Sequence, residues 1–136
     1  MAVEELLRKE QDGSLSFGNH TLDEKAKLED FKYNGDLLKV KTYKPMTKLE
    51  KNGMFAYESV PGTSVHHFTE TEDGVTFQVE GAEDAQVTVG LEEETEYEII
   101  VAGVSAGVMK TNMGGKLVIS LELGSGKEQE VKITKA

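Results

Sequence analysis

Apolar residues alternate with polar ones along most of this chain, and turn signals break the alternation at short intervals. The signals are Asp12-Gly13, Asn34-Gly35, Asn52-Gly53, Asp73-Gly74, Gly103, Gly114-Gly115 and Gly124-Ser125-Gly126. Between them, Val75, Phe77 and Val79 make one strand face, Leu117, Ile119, Leu121 and Leu123 a second, and Val131 and Ile133 a third. Successive side chains on a strand point to opposite faces, so a period of two gives each strand one wet and one dry side. Asn34-Gly35 suits a two-residue hairpin turn, because both residue types tolerate positive φ. Lys51-Asn52-Gly53 reads as a second hairpin. Strands of this kind with frequent turns predict an all-β chain folded as an antiparallel β-sandwich. The one helical expectation is a short N-terminal helix over Val3 to Glu10, where Val3, Leu6 and Leu7 share a face and Glu4 and Glu5 suit the helix dipole.

The expected core is the inward set of these strands: Leu15, Phe17, Leu28, Phe31, Leu38, Val40, Leu49, Phe55, Val65, Phe68, Val75, Phe77, Val79, Val87, Val89, Leu91, Tyr97, Ile99, Val101, Leu117, Ile119, Leu121, Val131 and Ile133. A chain of 136 residues buries enough surface with such a set to need no metal or disulfide staple. Cysteine is absent, which excludes thiol catalysis, disulfides and thiolate metal sites. The N-terminus lacks a basic stretch followed by an apolar one, and no apolar run is long enough for a membrane span, so a cytoplasmic home is expected. Asn19-His20-Thr21 matches the glycosylation sequon, a chance match in an unsecreted chain.

Charge is segregated along the chain. Residues 1–51 carry ten acidic and ten basic groups; residues 52–109 carry twelve acidic groups and no Lys or Arg; residues 110–136 carry three acidic and five basic. The formal net charge of −10 repels nucleic acid and anionic lipid, so neither is expected as a partner. The acidic block reads either as a solubilising face or as one half of a polar molecule that docks on a basic patch, its own or a partner's. Lysines 25, 27, 32, 39, 41, 44, 48 and 51 fall on the expected N-terminal strands.

Residues with catalytic or metal-binding chemistry are few. His66 and His67 would point to opposite faces of a strand, so they cannot share a metal there, although His66 and Glu70 share a face. Glu92, Glu93 and Glu94 with Glu83 and Asp84 offer loop carboxylates for calcium, at a spacing that matches no known cage. Neither a G-x-S-x-G nucleophile turn nor a phosphate loop is present; Gly124-Ser125-Gly126-Lys127 reads as a hairpin loop. No catalytic residue, metal or cofactor is therefore expected. Sugar platforms are flat aromatic faces, and without Trp the candidates are Tyr43 and Tyr57, although such residues are more often cross-strand packing partners.

Leu91-Glu92-Glu93-Glu94-Thr95-Glu96-Tyr97 has the spacing L-x-x-x-T-x-Y between two expected strands. It resembles the tyrosine corner of fibronectin type III and related immunoglobulin-like sandwiches, in which the tyrosine hydroxyl bonds back to the nearby backbone. Glu93-Glu94 stand where that family usually has Pro-Gly. Val101-Ala102-Gly103-Val104, Gly114-Gly115-Lys116-Leu117 and Leu123-Gly124-Ser125-Gly126 resemble the closing hairpins of bacterial sandwich modules, often found appended to glycoside hydrolases. The likeness implies an immunoglobulin-like sandwich over residues 61–136, entered at a seam of Val60-Pro61-Gly62-Thr63, with residues 1–60 as hairpins packed on it in one continuous unit. Leu28-Glu29-Asp30-Phe31, Asn34-Gly35-Asp36, Leu49-Glu50-Lys51-Asn52-Gly53-Met54-Phe55 and Glu58-Ser59-Val60-Pro61-Gly62 are also similar to stretches of small proteins of anaerobic Gram-positive bacteria called endosialidases. That activity is not expected to follow, because sialidases grip the substrate carboxylate with several arginines and this chain has Arg8 alone.

The function expected is therefore non-enzymatic: protein–protein interaction or self-assembly, as a homo-oligomer or with a protein partner. The residues expected to carry it are Lys39, Lys41 and Lys48 against Glu92, Glu93 and Glu94. If association is apolar instead, Val104, Val108 and Met109 or an uncovered strand edge carry it. The alternative function is that of an accessory carbohydrate-binding module.

Overall fold

The computed structural model describes residues 2–124 and 126–136; Ser125, in the expected loop after Leu123, lies outside the described residues. All strand pairs are antiparallel and they form two packed sheets. The first has seven strands in the order β1 (Leu7–Lys9), β2 (Leu15–Phe17), β7 (Ser64–Thr71), β8 (Gly74–Glu80), β13 (Gln129–Lys135), β10 (Glu96–Val101) and β11 (Val104–Lys110). The second has six, in the order β12 (Lys116–Leu121), β9 (Ala85–Gly90), β6 (Met54–Val60), β5 (Met46–Lys51), β4 (Asp36–Tyr43) and β3 (Ala26–Tyr33). The chain is an all-β antiparallel sandwich. Residues on either side of the cis Val60–Pro61 peptide supply strands to both sheets. Among the described residues there is no helix long and apolar enough to cross a membrane.

The turn chemistry explains the hairpins. Asn34 and Gly35 have φ of 51° and 86°, and Asn52 and Gly53 of 52° and 77°, the left-handed region that Asn and Gly enter most cheaply. The N-terminal helix does not form. Leu6 has φ of 70°, which breaks a helix, and Leu7, Arg8 and Lys9 pair with Phe17, Ser16 and Leu15 as strand β1. Local helical spacing over eight residues lost to a ladder closed by the Asp12-Gly13 turn.

The core departs from the expected set at its margins. Leu28 and Phe31 are only half-buried, because β3 is an edge strand whose ladder shifts between them. Phe55 is half-buried beyond a shift between Leu49 and Glu50, its ring under the Lys116 ammonium at 4.6 Å. Leu91 and Val101, at the rim, are also half-buried. Val3, Leu7, Ala56, Tyr57, Ala85 and Leu123 join the core instead.

The largest buried side chain is Tyr57, at 0% exposure. Its ring meets Phe17, Phe68 and Phe77 edge-on, with centroids 5.1, 6.4 and 5.8 Å away. Its hydroxyl reaches Thr63 Oγ1 at 2.8 Å, which also meets Ser59 Oγ at 2.8 Å. Thr47 Oγ1 donates to the Thr63 carbonyl at 2.7 Å and lies 2.8 Å from Thr42 Oγ1. Every one of these groups is buried, and each finds a partner, as burial in low dielectric requires.

The two sheets are unequal in width. At one side β1 and β2 face β3 and the turn after it: Lys9 Nζ donates to Asn34 Oδ1 at 3.2 Å and the Tyr33 hydroxyl to the Gly13 carbonyl at 2.6 Å. Seven strands laid over six from that side leave β11 overhanging. All seven of its residues are exposed, whereas Tyr97 and Ile99 on the adjacent β10 are buried.

Candidate functional site

A cleft of about 290 Å³ opens between the sheets near the β1–β2 and β3–β4 turns, with Tyr33, Leu49 and Phe68 in its wall and Asp12 and Ser14 on its rim. Ser14 Oγ donates to Asp12 Oδ1 at 2.5 Å and lies 3.0 Å from Nδ1 of His67, which is 3.3 Å from Asp12 Oδ2. These three residue types can form a nucleophile relay, but a relay needs serine and acid on opposite imidazole nitrogens. Here both meet Nδ1, and Ser14 is buried. The Ser14 hydroxyl and backbone N–H instead hold the Asp12 carboxyl below its ordinary range, in a turn-closing arrangement. Sequence reasoning missed this trio because Ser14 and His67 are 53 residues apart.

Arg8 is committed locally. Its guanidinium donates to Glu10 at 3.0 Å and to Glu5 at 3.3 Å. The Ser16 hydroxyl and then Arg8 hold the Glu10 carboxyl low. His66 and His67 do not follow the strand period: the β7 ladder shifts here, His67 takes φ of 55°, and Val65 and Phe68, three residues apart, both enter the core, so His66 and Glu70 do not share a face. His66 Nε2 is 3.6 Å from Glu80 and 3.9 Å from Glu128, while Glu70 pairs with Lys51 at 3.1 Å. The calcium arrangement does not assemble either. Asp84 lies before β9, where its Oδ1 accepts from the Leu123 and Gly124 N–H groups at 3.0 and 2.9 Å, whereas Glu92, Glu93 and Glu94 lie beyond the other end of β9. Among the described residues, no group of three His, Asp or Glu is placed to hold a metal ion.

At the turn between β9 and β10, Tyr97 is buried and its hydroxyl accepts from the Glu92 N–H at 3.2 Å. The Leu91 N–H donates to the Gly115 carbonyl at 2.7 Å, and Thr95 Oγ1 donates to the Glu93 carbonyl at 2.9 Å. Glu94 takes φ of 48°, so a residue other than glycine fills the left-handed position here. Tyr97→Phe removes one acceptor from a partly buried N–H and is expected to cost about 1 kcal/mol in a urea melt; an unchanged midpoint would show that the corner bond carries nothing.

The lysines gather on the outer face of the six-stranded sheet. Leu38, Val40, Thr47 and Leu49 are buried, so Lys39, Lys41 and Lys48 point away from the core. Register places Lys27 opposite Lys41, Lys41 opposite Lys48, and Lys48 opposite Glu58. Three ammonium groups thus stand side by side across three strands. Among the described residues none of the three is joined to a carboxylate, whereas Lys39 reaches Glu29 at 3.4 Å and Lys44 reaches Asp23 at 2.6 Å. The outer face of the seven-stranded sheet carries Glu96, Glu98 and Glu130, with Lys132 between them and Lys110 opposite Glu96. Glu92 is engaged by Lys135; Glu93 and Glu94 are exposed.

Among the described residues, aromatic rings offer no open platform. Tyr43 and Tyr33 are half-buried under lysine ammoniums at 5.7 and 5.8 Å, and the exposed large hydrophobics among the described residues are all aliphatic: Leu37, Met54, Val60, Val104, Val108, Met109, Met113 and Val118. Val104, Val108 and Met109 all belong to β11. Comparison with family models, with curated proteins and with solved structures found no match to this chain.

Proposed function

We propose that this chain is a non-enzymatic, cytoplasmic β-sandwich that works by protein–protein association, with itself or with a partner. The observation that carries this reading is the row Lys27, Lys41 and Lys48. Like charges directly opposite on neighbouring strands destabilise a sheet, so such a row costs folding energy unless something else uses it. An acidic protein surface meeting that row relieves the repulsion. The chain itself supplies carboxylates for it: Glu96, Glu98 and Glu130 on the opposite outer face, or the exposed Glu93 and Glu94. Because the two faces lie on opposite sides of the sandwich, self-association through them is head-to-tail.

The absence of enzymatic activity is supported by the buried Ser14, the shared Nδ1 geometry at His67 and the engagement of Arg8 by two carboxylates. The kinship with immunoglobulin-like modules remains part of this proposal, supported by the corner bond of Tyr97. The endosialidase likeness is carried as kinship without that activity. The carbohydrate-binding alternative would require a flat exposed aromatic face, and the exposed large side chains are aliphatic.

Light scattering after size exclusion tests the reading. Opposite charges at contact are screened over about 8 Å at physiological salt, so the mass should fall toward the monomer as salt rises. The triple change Lys39→Glu, Lys41→Glu and Lys48→Glu should produce the same fall at low salt. Lys41→Glu alone replaces two like-charge pairs with opposite ones and is expected to raise stability by about 1 kcal/mol while weakening association. A protein that stays monomeric at every salt, with and without added acidic partners, refutes the proposal.

A further inference from the structure

Two Asn-Gly turns close hairpins in this fold with nearly the same backbone: φ is 51° and 86° at Asn34-Gly35, and 52° and 77° at Asn52-Gly53. An Asn followed by Gly carries its own electrophile and nucleophile. The Gly nitrogen, with no Cβ beside it, attacks the Asn Cγ and closes a five-membered imide. The attack requires the Asn–Gly peptide to rotate out of the hairpin turn. Its rate therefore follows how readily the turn opens and what polarises the side-chain amide. The two turns differ in both respects.

Asn52 is locked. Its N–H donates to the Leu37 carbonyl at 2.8 Å, its Oδ1 accepts from the Leu37 N–H at 2.9 Å, and its Nδ2 donates to Asp36 Oδ1 at 2.8 Å. Asn52 thus extends the β4–β5 ladder with its own side chain, and its hairpin lies inside the sheet, between β4 and β9. Asn34 closes the β3–β4 hairpin, in which β3 is an edge strand paired on one side only. Asn34 and Gly35 are both exposed. The Asn34 Oδ1 accepts from Lys9 Nζ at 3.2 Å, a charged donor on a long flexible stem. An ammonium on the amide oxygen makes Cγ more electrophilic and stabilises the negative charge that gathers on that oxygen during attack.

We propose that Asn34 is a site of self-modification: in the folded protein it deamidates through a cyclic imide with Lys9 assisting, while Asn52 is protected. The bond that forms joins Gly35 N to Asn34 Cγ, and the bond that breaks is Cγ–Nδ2. The Gly35 amide loses its proton to solvent; Nδ2 takes one up and leaves as ammonia. Water then opens the imide, on one side to aspartate and on the other to isoaspartate. Either product sets a new carboxylate beside the Lys9 ammonium. The isoaspartyl form also routes the chain through one extra carbon. A two-residue turn closed by the Tyr33–Asp36 pair cannot absorb that carbon without disturbing its register. Tyr33 lines the cleft between the sheets and bonds the Gly13 carbonyl there, so the modification reaches that cleft.

The test ages the full chain in mildly alkaline buffer and maps its peptides by mass. The amide-to-acid mass gain is expected at Asn34 at least about tenfold faster than at Asn52, where three hydrogen bonds must open first. Ion exchange should show a more acidic species growing in step. In denaturant the two sites should convert at similar rates, because the difference belongs to the fold. Lys9→Met, at an exposed position, keeps an apolar stem over the Tyr33 ring and removes the ammonium. It should slow conversion of Asn34 about fivefold, less than the loss of a donor in a dry site because this one is solvated. Asn52 keeping pace with Asn34 in the folded chain overturns the proposal. So does an Asn34 that stays intact there while converting in denaturant, or a rate that Lys9→Met leaves unchanged or raises.

Discussion

Replacing Tyr57 by Ala is expected to cost about 4 kcal/mol, a large share of the stability of a domain this size. The ring fills the centre of a cluster of three phenylalanines and has no exposed surface. Tyr57→Phe keeps the ring and removes the hydroxyl from Thr63, for about 1–2 kcal/mol at neutral pH. That variant also has a pH signature. Burial pushes the Tyr57 phenol well above its ordinary range, and the hydrogen bonds to Thr63 and Ser59 pull it back by less. The folded state therefore holds the proton more tightly than the unfolded chain, whose phenol ionises near pH 10. The stability tied to this proton is fully present below about pH 10 and is lost above it, at about 1.4 kcal/mol per pH unit. Tyr57→Phe lacks that loss. Urea melts of the two proteins should converge as pH rises and meet near about pH 11. Curves that stay parallel would show that the phenol is not buried in the folded state.

Gly62→Ala is expected to be as damaging for a different reason. A Cβ there would run into the Tyr43 carbonyl oxygen, with the Lys44 carbonyl oxygen 3.1 Å away. Both obstacles are backbone, and the Gly62 N–H is committed to the Lys44 carbonyl at 2.7 Å, so neither side can yield cheaply. The β4–β5 turn and the segment before β7 must part, which also pulls Thr63 from Thr47. A cost of about 3 kcal/mol or more follows from overpacking of this kind. Gly114→Ala, which meets only the Asn112 side chain at 3.4 Å, should cost less than about 0.5 kcal/mol and serves as the control. If Tyr57→Phe costs the same in the Gly62→Ala background as alone, the two sites are not joined through Thr63.

Strands with strong local alternation were legible in the sequence. Val75, Phe77 and Val79 bury one face of β8, Leu117, Ile119 and Leu121 one face of β12, and Asn34-Gly35 and Asn52-Gly53 turn their hairpins. What local pattern does not encode is which strands become neighbours and where ladders slip. Bulges turned Phe55 toward the rim and left Leu28 and Phe31 half-buried. Tyr57 read either as a surface ring or as a cross-strand packing partner, and the choice was not legible because Thr63 and Ser59 look hydrophilic in a sequence and become a buried network only in the fold. The lysine row was visible as composition but not as geometry. Lys27, Lys41 and Lys48 are spaced irregularly along the chain, and only strand register lines them up. The exposed trio Val104, Val108 and Met109 was named; Val108, opposite Glu98, simply faces outward, whereas the exposure of inward Val104 and Met109 comes from an unequal strand number, which belongs to the whole fold.

The position of β13 has a consequence for how the protein comes to be folded at all. This strand, residues 129–135, follows the other twelve described strands in the chain and lies in the middle of its sheet, between β8 and β10. Until it is present, that sheet exists only as two separate ribbons with facing raw edges: β1, β2, β7 and β8 on one side, β10 and β11 on the other. Val131 and Ile133, both fully buried, then enter as a keystone. On a ribosome the two ribbons cannot be joined until residues 129–135 have been made, and closure over such long sequence separations is slow. Loss of β13 would leave the larger sheet in two pieces, each inviting the wrong neighbour.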